Sequence, residues 1–257
     1  MRRLIVTVLL AFACTALTAQ AGPKYQYSGQ ASEPVISLDF RGSRLKRIDD
    51  SPTMSIYADG RVVIPQIYAH TRAYSGQLSQ TELQSLLDLI IGKHQFFDFD
   101  ERRVAQKLSV LSGPLDTLPA HLATTVIRVN ANHRSKAVSY YGLGNEPTVE
   151  ETEHLLAIRL RLEQIMSIMK LGGAEEAGQW LALANRELRA QDPKAQALAL
   201  TDLRSTAIRA DGSADVRFAR VSAAKSVSVS ISINQAGHST IAVAHDDLLS
   251  RAPQQIH

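Results

Sequence analysis

The pattern of apolar and polar positions in residues 54–99 predicts a β-hairpin followed by a helix. Residues 54–57 and 62–64 are short β-prone runs on either side of Asp59-Gly60. This pair favours a type I′ turn, which needs positive φ at both central residues. The pattern therefore predicts a tight hairpin with Asp59 and Gly60 at its tip.

The following helix is predicted from its cap and its apolar stripe. Ser79 with Glu82 three residues later has the spacing of a capping box. Gly92 is expected to end the helix as a left-handed C′ residue. Apolar positions recur at helical spacing and are followed by an aromatic run expected to pack under the helix: Leu83, Leu86, Leu87, Ile90, Ile91, then Phe96, Phe97 and Phe99.

Further elements are predicted on both sides of this unit. Residues 34–40 alternate as a strand, and residues 125–129 and 136–141 form a hairpin turned at 130–133. Thr148 with Glu151 predicts a second capping box, opening a helix to about residue 171. Its buried stripe is predicted to be Leu155, Ile158, Leu162, Ile165 and Met169. Residues 100–123 show no period and are expected to form a long loop.

The C-terminal part predicts one helix and two hairpins. The helix is expected over residues 174–190, ended by Asp192-Pro193. One hairpin joins residues 206–209 to 216–221 through Asp211-Gly212, and the other joins 226–233 to 240–244. The predicted fold is α+β, with antiparallel hairpins packed on helices and a smaller β-rich C-terminal domain carrying one helix.

Domain limits follow from composition and from the Gly172-Gly173 pair. The prediction is a polar lead-in at 22–33 with little structure, an α+β domain at 34–171 and a small helix-plus-hairpins domain at 174–250.

Residues 1–21 have the pattern of a bacterial signal peptide. Arg2 and Arg3 precede an uncharged apolar core, and the small residues before Ala21 predict cleavage between Ala21 and Gly22. A lipoprotein anchored through Cys14 is the alternative, disfavoured by Phe12 where a small residue is needed. We therefore expect an exported, periplasmic or secreted protein, without a transmembrane segment in its mature part.

The net charge and the cysteine content argue against several classes of function. The net charge of +3 falls to +1 without Arg2 and Arg3, which gives no indication of nucleic-acid binding. The densest basic cluster, residues 41–47, precedes Asp49 and Asp50 and is interpreted as a solvated loop. Cys14 is the only cysteine, so the mature chain has no cysteine nucleophile and no thiolate metal site.

Two acidic motifs each contain some, but not all, of the ligands of a known type of metal site. Glu151-x-x-His154 has the spacing of carboxylate-bridged metal sites, but the sequence holds no second copy. The motif is better explained as part of the solvated first turn of a helix, where acidic residues are favoured. Asp98, Asp100 and Glu101 could ligate Ca²⁺, but the glycine and the later glutamate of a full loop are missing.

The histidines and tyrosines are similarly incomplete as sites. His238 and His245 precede Asp246 and Asp247, which point to opposite faces of an extended chain and cannot both orient one histidine. Tyr140-Tyr141 could stack on a sugar or peptide, but a strand with one buried and one exposed tyrosine is the simpler interpretation. No catalytic, cofactor-binding or metal-binding residue is therefore predicted, and no cofactor.

Residues 35–170 resemble a family of exported bacterial domains of unknown function. The residues that carry this resemblance are 54–62, 78–87 and Phe96-Phe97, together with the order of the later hairpin and helix. Members often carry a cysteine pair before the first hairpin, where this chain has Ser51-Pro52-Thr53. The resemblance implies the architecture and export, and it implies no activity.

The expected function is a non-catalytic binding or structural module that takes an unknown protein or cell-envelope ligand. One alternative is a hydrolase with dispersed residues, for which His121, His238 and His245 are the candidates. Another is an inhibitor of an extracellular protease that presents loop 112–120.

Overall fold

The computed structural model describes residues 24–27, 32–42, 46–69, 71–112, 122–145, 148–209, 211–221 and 225–247. The predicted signal segment with Cys14 and the cleavage site between Ala21 and Gly22 lie outside these residues. His121 and residues 113–120 of the predicted inhibitor loop also lie outside them.

The described residues form two antiparallel sheets with helices, which confirms the predicted α+β class. The first sheet has the strand order β4-β3-β2-β1-β5-β6 and the second β10-β9-β8-β7. The strands are β1 (Ile36–Arg41), β2 (Met54–Ile56), β3 (Arg61–Ile64), β4 (Tyr74–Gln77), β5 (Thr124–Ala131), β6 (Arg134–Tyr141), β7 (Leu203–Ile208), β8 (Ala214–Val221), β9 (Lys225–Ile233) and β10 (Ser239–Asp247). The α-helices are α1 (Gln80–Leu87), α2 (Glu101–Ser112), α3 (Glu150–Lys170) and α4 (Ala174–Gln191).

One face of the first sheet forms the larger core. Ile36 and Leu38 on β1 lie opposite Ile56 and Met54 on β2, and all four are fully buried. The predicted stripes of α1 and α3 and the rings of Phe96 and Phe97 complete this core. The alternating pattern of the sequence therefore identified the buried face correctly.

The first hairpin forms as predicted, but its turn type differs. Tyr57 accepts a hydrogen bond from the Gly60 amide, and only Gly60, at φ +85°, has positive φ in this turn. This is a type I turn closed by a glycine bulge. The prediction of a type I′ turn is wrong here. The φ pattern of that turn occurs instead between β5 and β6, where Asn132 and His133 have φ of +54° and +58°.

Helix α1 has the predicted capping box, since Ser79 Oγ accepts from the Glu82 amide and Glu82 accepts from the Ser79 amide. Its predicted end at Gly92 is wrong, because α1 passes into a π-helical segment, Asp88–Lys93, that contains Gly92. A Cβ at Gly92 would lie 2.8 Å from Asp88 Oδ1 and 3.0 Å from the Tyr25 hydroxyl. Close packing explains this glycine, and Gln95, at φ +48°, is the left-handed residue that follows.

Helix α2 occupies much of the segment predicted as a long loop. Asp100 accepts hydrogen bonds from the amides of Arg102 and Arg103 at 2.9 and 3.2 Å and so caps this helix. Only Val104 and Leu108 of its residues with described side chains are buried. Val104, Leu108 and Leu111 recur at positions i, i+4 and i+7, so the sequence carries a helical period that the prediction of a loop missed.

The lead-in is partly anchored, contrary to the prediction of little structure. Tyr25 is buried in the first core, and its backbone amide and carbonyl both bond to the side chain of Gln84 at 2.9 Å. Its hydroxyl donates to Asp88 Oδ1 at 2.8 Å. One aromatic side chain therefore fixes residues 24–27 to α1.

Helix α3 contacts strands of both sheets, β4 in the first and β7 in the second. Its cap is Val149, whose amide donates to Thr152 Oγ1 at 3.0 Å, so the predicted capping box of Thr148 and Glu151 is wrong. The helix ends at Gly172 and Gly173, as predicted, with φ of +106° and +120°.

The second sheet packs on α4 around a separate, smaller core. Val216 and Phe218 of β8 lie opposite Ile231 and Val229 of β9, and these side chains meet Leu188 of α4. Both predicted C-terminal hairpins are present, extended at their ends. Among the described residues, no helix combines the length and the apolar content needed to cross a bilayer.

Candidate functional site

A cleft of about 630 Å³ lies between the two sheets. The end of β3 and the start of β4 form one wall, the end of β7 forms the other, and Lys170 at the end of α3 lies between them. Both β4 and β7 are edge strands of their sheets. The apolar lining residues are Ile64, Pro65, Ile67, Ala207 and Ile208.

Two buried hydroxyl groups in this cleft have no hydrogen-bond partner. Thr206 lies on β7 opposite Val216 and is 8% exposed, yet its Oγ1 is unpaired. The Tyr74 hydroxyl on the opposite wall is likewise buried and unpaired. Buried polar groups in native proteins are almost always hydrogen-bonded. Two such exceptions therefore belong to residues that line the cleft.

The charged groups at the cleft are Arg72, Lys170, Arg209 and Asp211, so cations outnumber the single carboxylate. Arg209 pairs with Asp215 at 2.6 Å. Hydrogen bonds from Ser213 and Gln235 lower the pKa of Asp211 to about 2, so this carboxylate is already well stabilised.

Lys170 is the cation best placed for a ligand. Burial lowers the pKa of Lys170, and the negative charge of Glu163 on the same helix offsets part of this effect. Its ammonium group has no hydrogen bond or ion pair with another described residue. A partly desolvated ammonium is stabilised by a bound anion, because the opposite charge replaces the lost hydration.

A second, smaller cavity of about 230 Å³ brings together residues that are far apart in the sequence. It contains Glu151 and His154 of α3, together with His94, which follows the π-helical segment. The His94 and His154 rings meet edge to face with centroids 5.1 Å apart. Lys107 of α2 donates to Glu151 Oε1 at 2.5 Å.

Of the remaining sequence candidates, Asp98 also lines the second cavity, at an exposed position. His238 and His245 are exposed on the β9–β10 hairpin and line neither cavity. Asp100 is the cap of α2. Across the part of the chain that the structure describes, no group of three or more His, Cys, Asp or Glu side chains is arranged to hold a metal ion.

The tyrosine pair fits its structural interpretation. Tyr140 packs edge to face on Phe99 with ring centroids 6.3 Å apart, and Tyr141 is 37% exposed. One ring therefore contributes to packing and the other faces solvent.

The basic cluster was interpreted as a solvated loop, and this is wrong for Arg47. Arg47 donates to the buried carboxylate of Asp39 at 2.9 Å and to the backbone carbonyls of Phe40 and Asp49, each at 3.2 Å. Thr53 Oγ1 also donates to Asp39, at 3.1 Å, and Thr53 lines the cleft. Asp39 therefore holds the segment that borders the cleft.

Comparison of the chain with protein-family models, curated proteins and solved structures finds no match. The function is therefore inferred from the geometry of the two cavities. Sequence reasoning identified no residue of the cleft as functional, because its walls come from four distant segments and no motif connects them.

Proposed function

We propose that this protein is an exported binding protein that holds an acyl-chain amphiphile with an anionic head group in the cleft between β4 and β7. The carrying observation is the pair of buried, unpaired hydroxyls of Thr206 and Tyr74, two residues that line a cleft with both apolar and charged side chains. The ligand is a cell-envelope molecule in this proposal, in agreement with the signal segment and with the resemblance to exported domains.

The size and lining of the cleft support an apolar ligand body. Ligand cavities commonly measure roughly 300–1,000 Å³ and carry a few polar groups on a mainly apolar surface. The cleft has this character, since isoleucine, proline and alanine side chains cover its walls. An alkyl chain buried there gains about 0.8 kcal/mol per methylene group.

The polar groups support an anionic head. The two hydroxyls can donate to a carboxylate or phosphate oxygen, and Lys170 adds a positive charge without a competing partner. Hydrogen bonds to an ionised acceptor are about twice as strong as neutral ones. A neutral alcohol of the same chain length would gain less, and a cationic head would be repelled.

The test is calorimetric titration with three ligands of equal chain length: decanoate, decanol and decyltrimethylammonium, each below its micelle concentration. We expect decanoate to bind most tightly and the cation most weakly. The Lys170→Met variant should lose most of the preference for decanoate over decanol. The matched control, Lys194→Met, removes an exposed lysine outside the cleft and should keep that preference.

A second variant tests the hydroxyls. Thr206→Val keeps the side-chain shape and should weaken decanoate binding several-fold, whereas Ser205→Val, at an exposed neighbouring position of β7, should not. Absence of decanoate binding, or equal affinity in wild type and both cleft variants, would overturn the proposal.

A further inference from the structure

The second cavity carries an inference that is independent of the cleft. Its wall joins three helical elements that are distant in sequence: the turn after the π-helical segment, α2 and the first turns of α3. The side chains there that could bind a cation include His94, Glu151 and His154, and the other charged residues of the lining are Asp98, Glu150, Arg103 and Lys107.

The two imidazoles have a spacing compatible with one shared ion. A zinc ion lies about 2.0–2.1 Å from a histidine nitrogen, so in tetrahedral geometry two ring centres bound to one ion lie roughly 5 Å apart. The His94 and His154 centroids are 5.1 Å apart, with an angle of 62° between the rings. The distance between the two rings is therefore the one expected for two imidazoles bound to one ion.

Two atoms in this cavity are buried without a partner. These are Nδ1 of His94 and Oε2 of Glu151. Glu151 and His154 are three residues apart on α3, so they lie on the same side of the helix. An imidazole nitrogen and a carboxylate oxygen are both ligands of zinc, and an ion would satisfy both atoms at once.

The backbone before His94 departs from regular helix. The His94 amide donates to the Leu89 carbonyl at 3.0 Å, which is a π-type bond, and Gln95 follows with φ +48°. Such segments occur frequently at functional sites because they redirect the side chains that follow. Here the irregular turn places His94 against α3.

We propose that His94, His154 and Glu151 form a binding site for Zn²⁺ or a similar late first-row divalent cation. The described side chains do not yet surround one point as a group of three. Glu151 is held by Lys107 through Oε1, with 45% of the Lys107 side chain exposed. Binding therefore exchanges the ammonium of Lys107 for the metal ion, and Lys107 moves into solvent.

The experiment is titration of the purified full-length exported protein with Zn²⁺ by calorimetry, repeated with single variants. His94→Gln and His154→Gln should each lose at least tenfold in affinity. The control, His238→Gln, removes an exposed histidine of the β9–β10 hairpin and should bind Zn²⁺ as the wild type does.

Lys107→Met gives the sharper test, because a gain of affinity cannot come from misfolding. Freeing Glu151 should tighten Zn²⁺ binding several-fold, and adding Glu151→Gln should abolish the gain. No Zn²⁺ binding by the wild type, unchanged affinity in both histidine variants, or weaker binding by Lys107→Met would overturn the proposal. Because the cleft residues are untouched, decanoate binding in the same variants reports separately on the proposed function.

Discussion

Two regions around the cleft bury polar groups in opposite ways. Asp39, in the first sheet, is 5% exposed and accepts hydrogen bonds from Arg41, Arg47 and Thr53. Thr206, in the second sheet, is 8% exposed and its hydroxyl has no partner. Both side chains are buried to a similar extent, so burial alone does not distinguish them.

The difference indicates separate roles. A buried carboxylate with several donors fixes the segment that carries those donors, and removing it leaves a buried cation unpaired. A buried hydroxyl without a donor or acceptor lowers the stability of the empty protein. The first arrangement serves the fold, and in the function proposed above a ligand completes the second.

The largest effect is expected from Asp39→Ala. Arg47, with only 19% of its side chain exposed, would lose its carboxylate partner, and such a loss costs about 3–5 kcal/mol of unfolding free energy. Urea unfolding measures this, and Asp50→Ala, at an exposed position, should change stability by less than about 0.5 kcal/mol. The double variant Asp39→Leu/Arg47→Met should recover part of the loss. A loss below about 1 kcal/mol in Asp39→Ala would contradict the fixing role.

The next effect concerns the contact between β4 and α3, beside the cleft. A Cβ at Gly76 would overlap Sδ of Met169, so Gly76→Ala should cost about 1–3 kcal/mol by overpacking. The cost of Gly76→Ala should be smaller in a protein that also carries Met169→Ala, and a double-mutant cycle measures this difference. Gly178→Ala is the control, because its Cβ meets no atom within 4 Å inside α4 and should stabilise by about 0.5–1 kcal/mol. Additive costs for Gly76 and Met169 would show that the two do not interact.

Thr206→Val should stabilise the ligand-free protein by about 1 kcal/mol, because it removes an unpaired buried hydroxyl while keeping the side-chain shape. Asn185→Leu, in the same half of the molecule, should have the opposite sign. Asn185 is buried and bonds both backbone groups of Leu198, at 2.7 and 3.0 Å. Chemical unfolding of both variants measures the contrast, and destabilisation by Thr206→Val would mean that its hydroxyl is satisfied in solution.

The smallest expected effect is that of acidification on the free energy of unfolding. Burial by itself would raise the pKa of Asp39, but the hydrogen bonds from Arg47 and Arg41 outweigh it, and the pKa lies below its ordinary value. A carboxyl with a depressed folded pKa contributes stability above its unfolded pKa of about 3.9, and this contribution is lost as the pH falls through the folded pKa. The stability difference between wild type and Asp39→Asn should therefore shrink below about pH 4. A difference that stays constant into stronger acid would contradict the shift.

Local elements were predictable where one short segment carried the whole signal. The capping box of Ser79 and Glu82 and the stop at Gly172-Gly173 depend on neighbouring residues and were identified correctly. The apolar stripe of α3 was also correct, because five buried positions recur at helical spacing. The prediction of a loop missed helix α2, although Val104, Leu108 and Leu111 recur at helical spacing in the sequence.

Errors arose where a local motif had two possible outcomes. Asp59-Gly60 suits two hairpin turns, and the structure has the one with a single positive φ. Gly92 was interpreted as a helix end, but contact with Asp88 and Tyr25 explains it. The sequence motif of Glu151 and His154 was interpreted within a single helix, because nothing in the sequence places His94 beside them.

The sequence by itself determined the fold class, the buried faces of both sheets, the N-terminal cap of α1 and the end of α3, because these depend on periodicity and short-range hydrogen bonds. It also gave the prediction of export. Only the tertiary structure decided which buried polar groups have partners, since Asp39, Arg47 and Thr53 meet through chain folding, and Thr206, Tyr74 and Lys170 come from three separate elements. A hydrogen bond requires two atoms within about 3.5 Å of each other, and separation along the chain does not specify that distance.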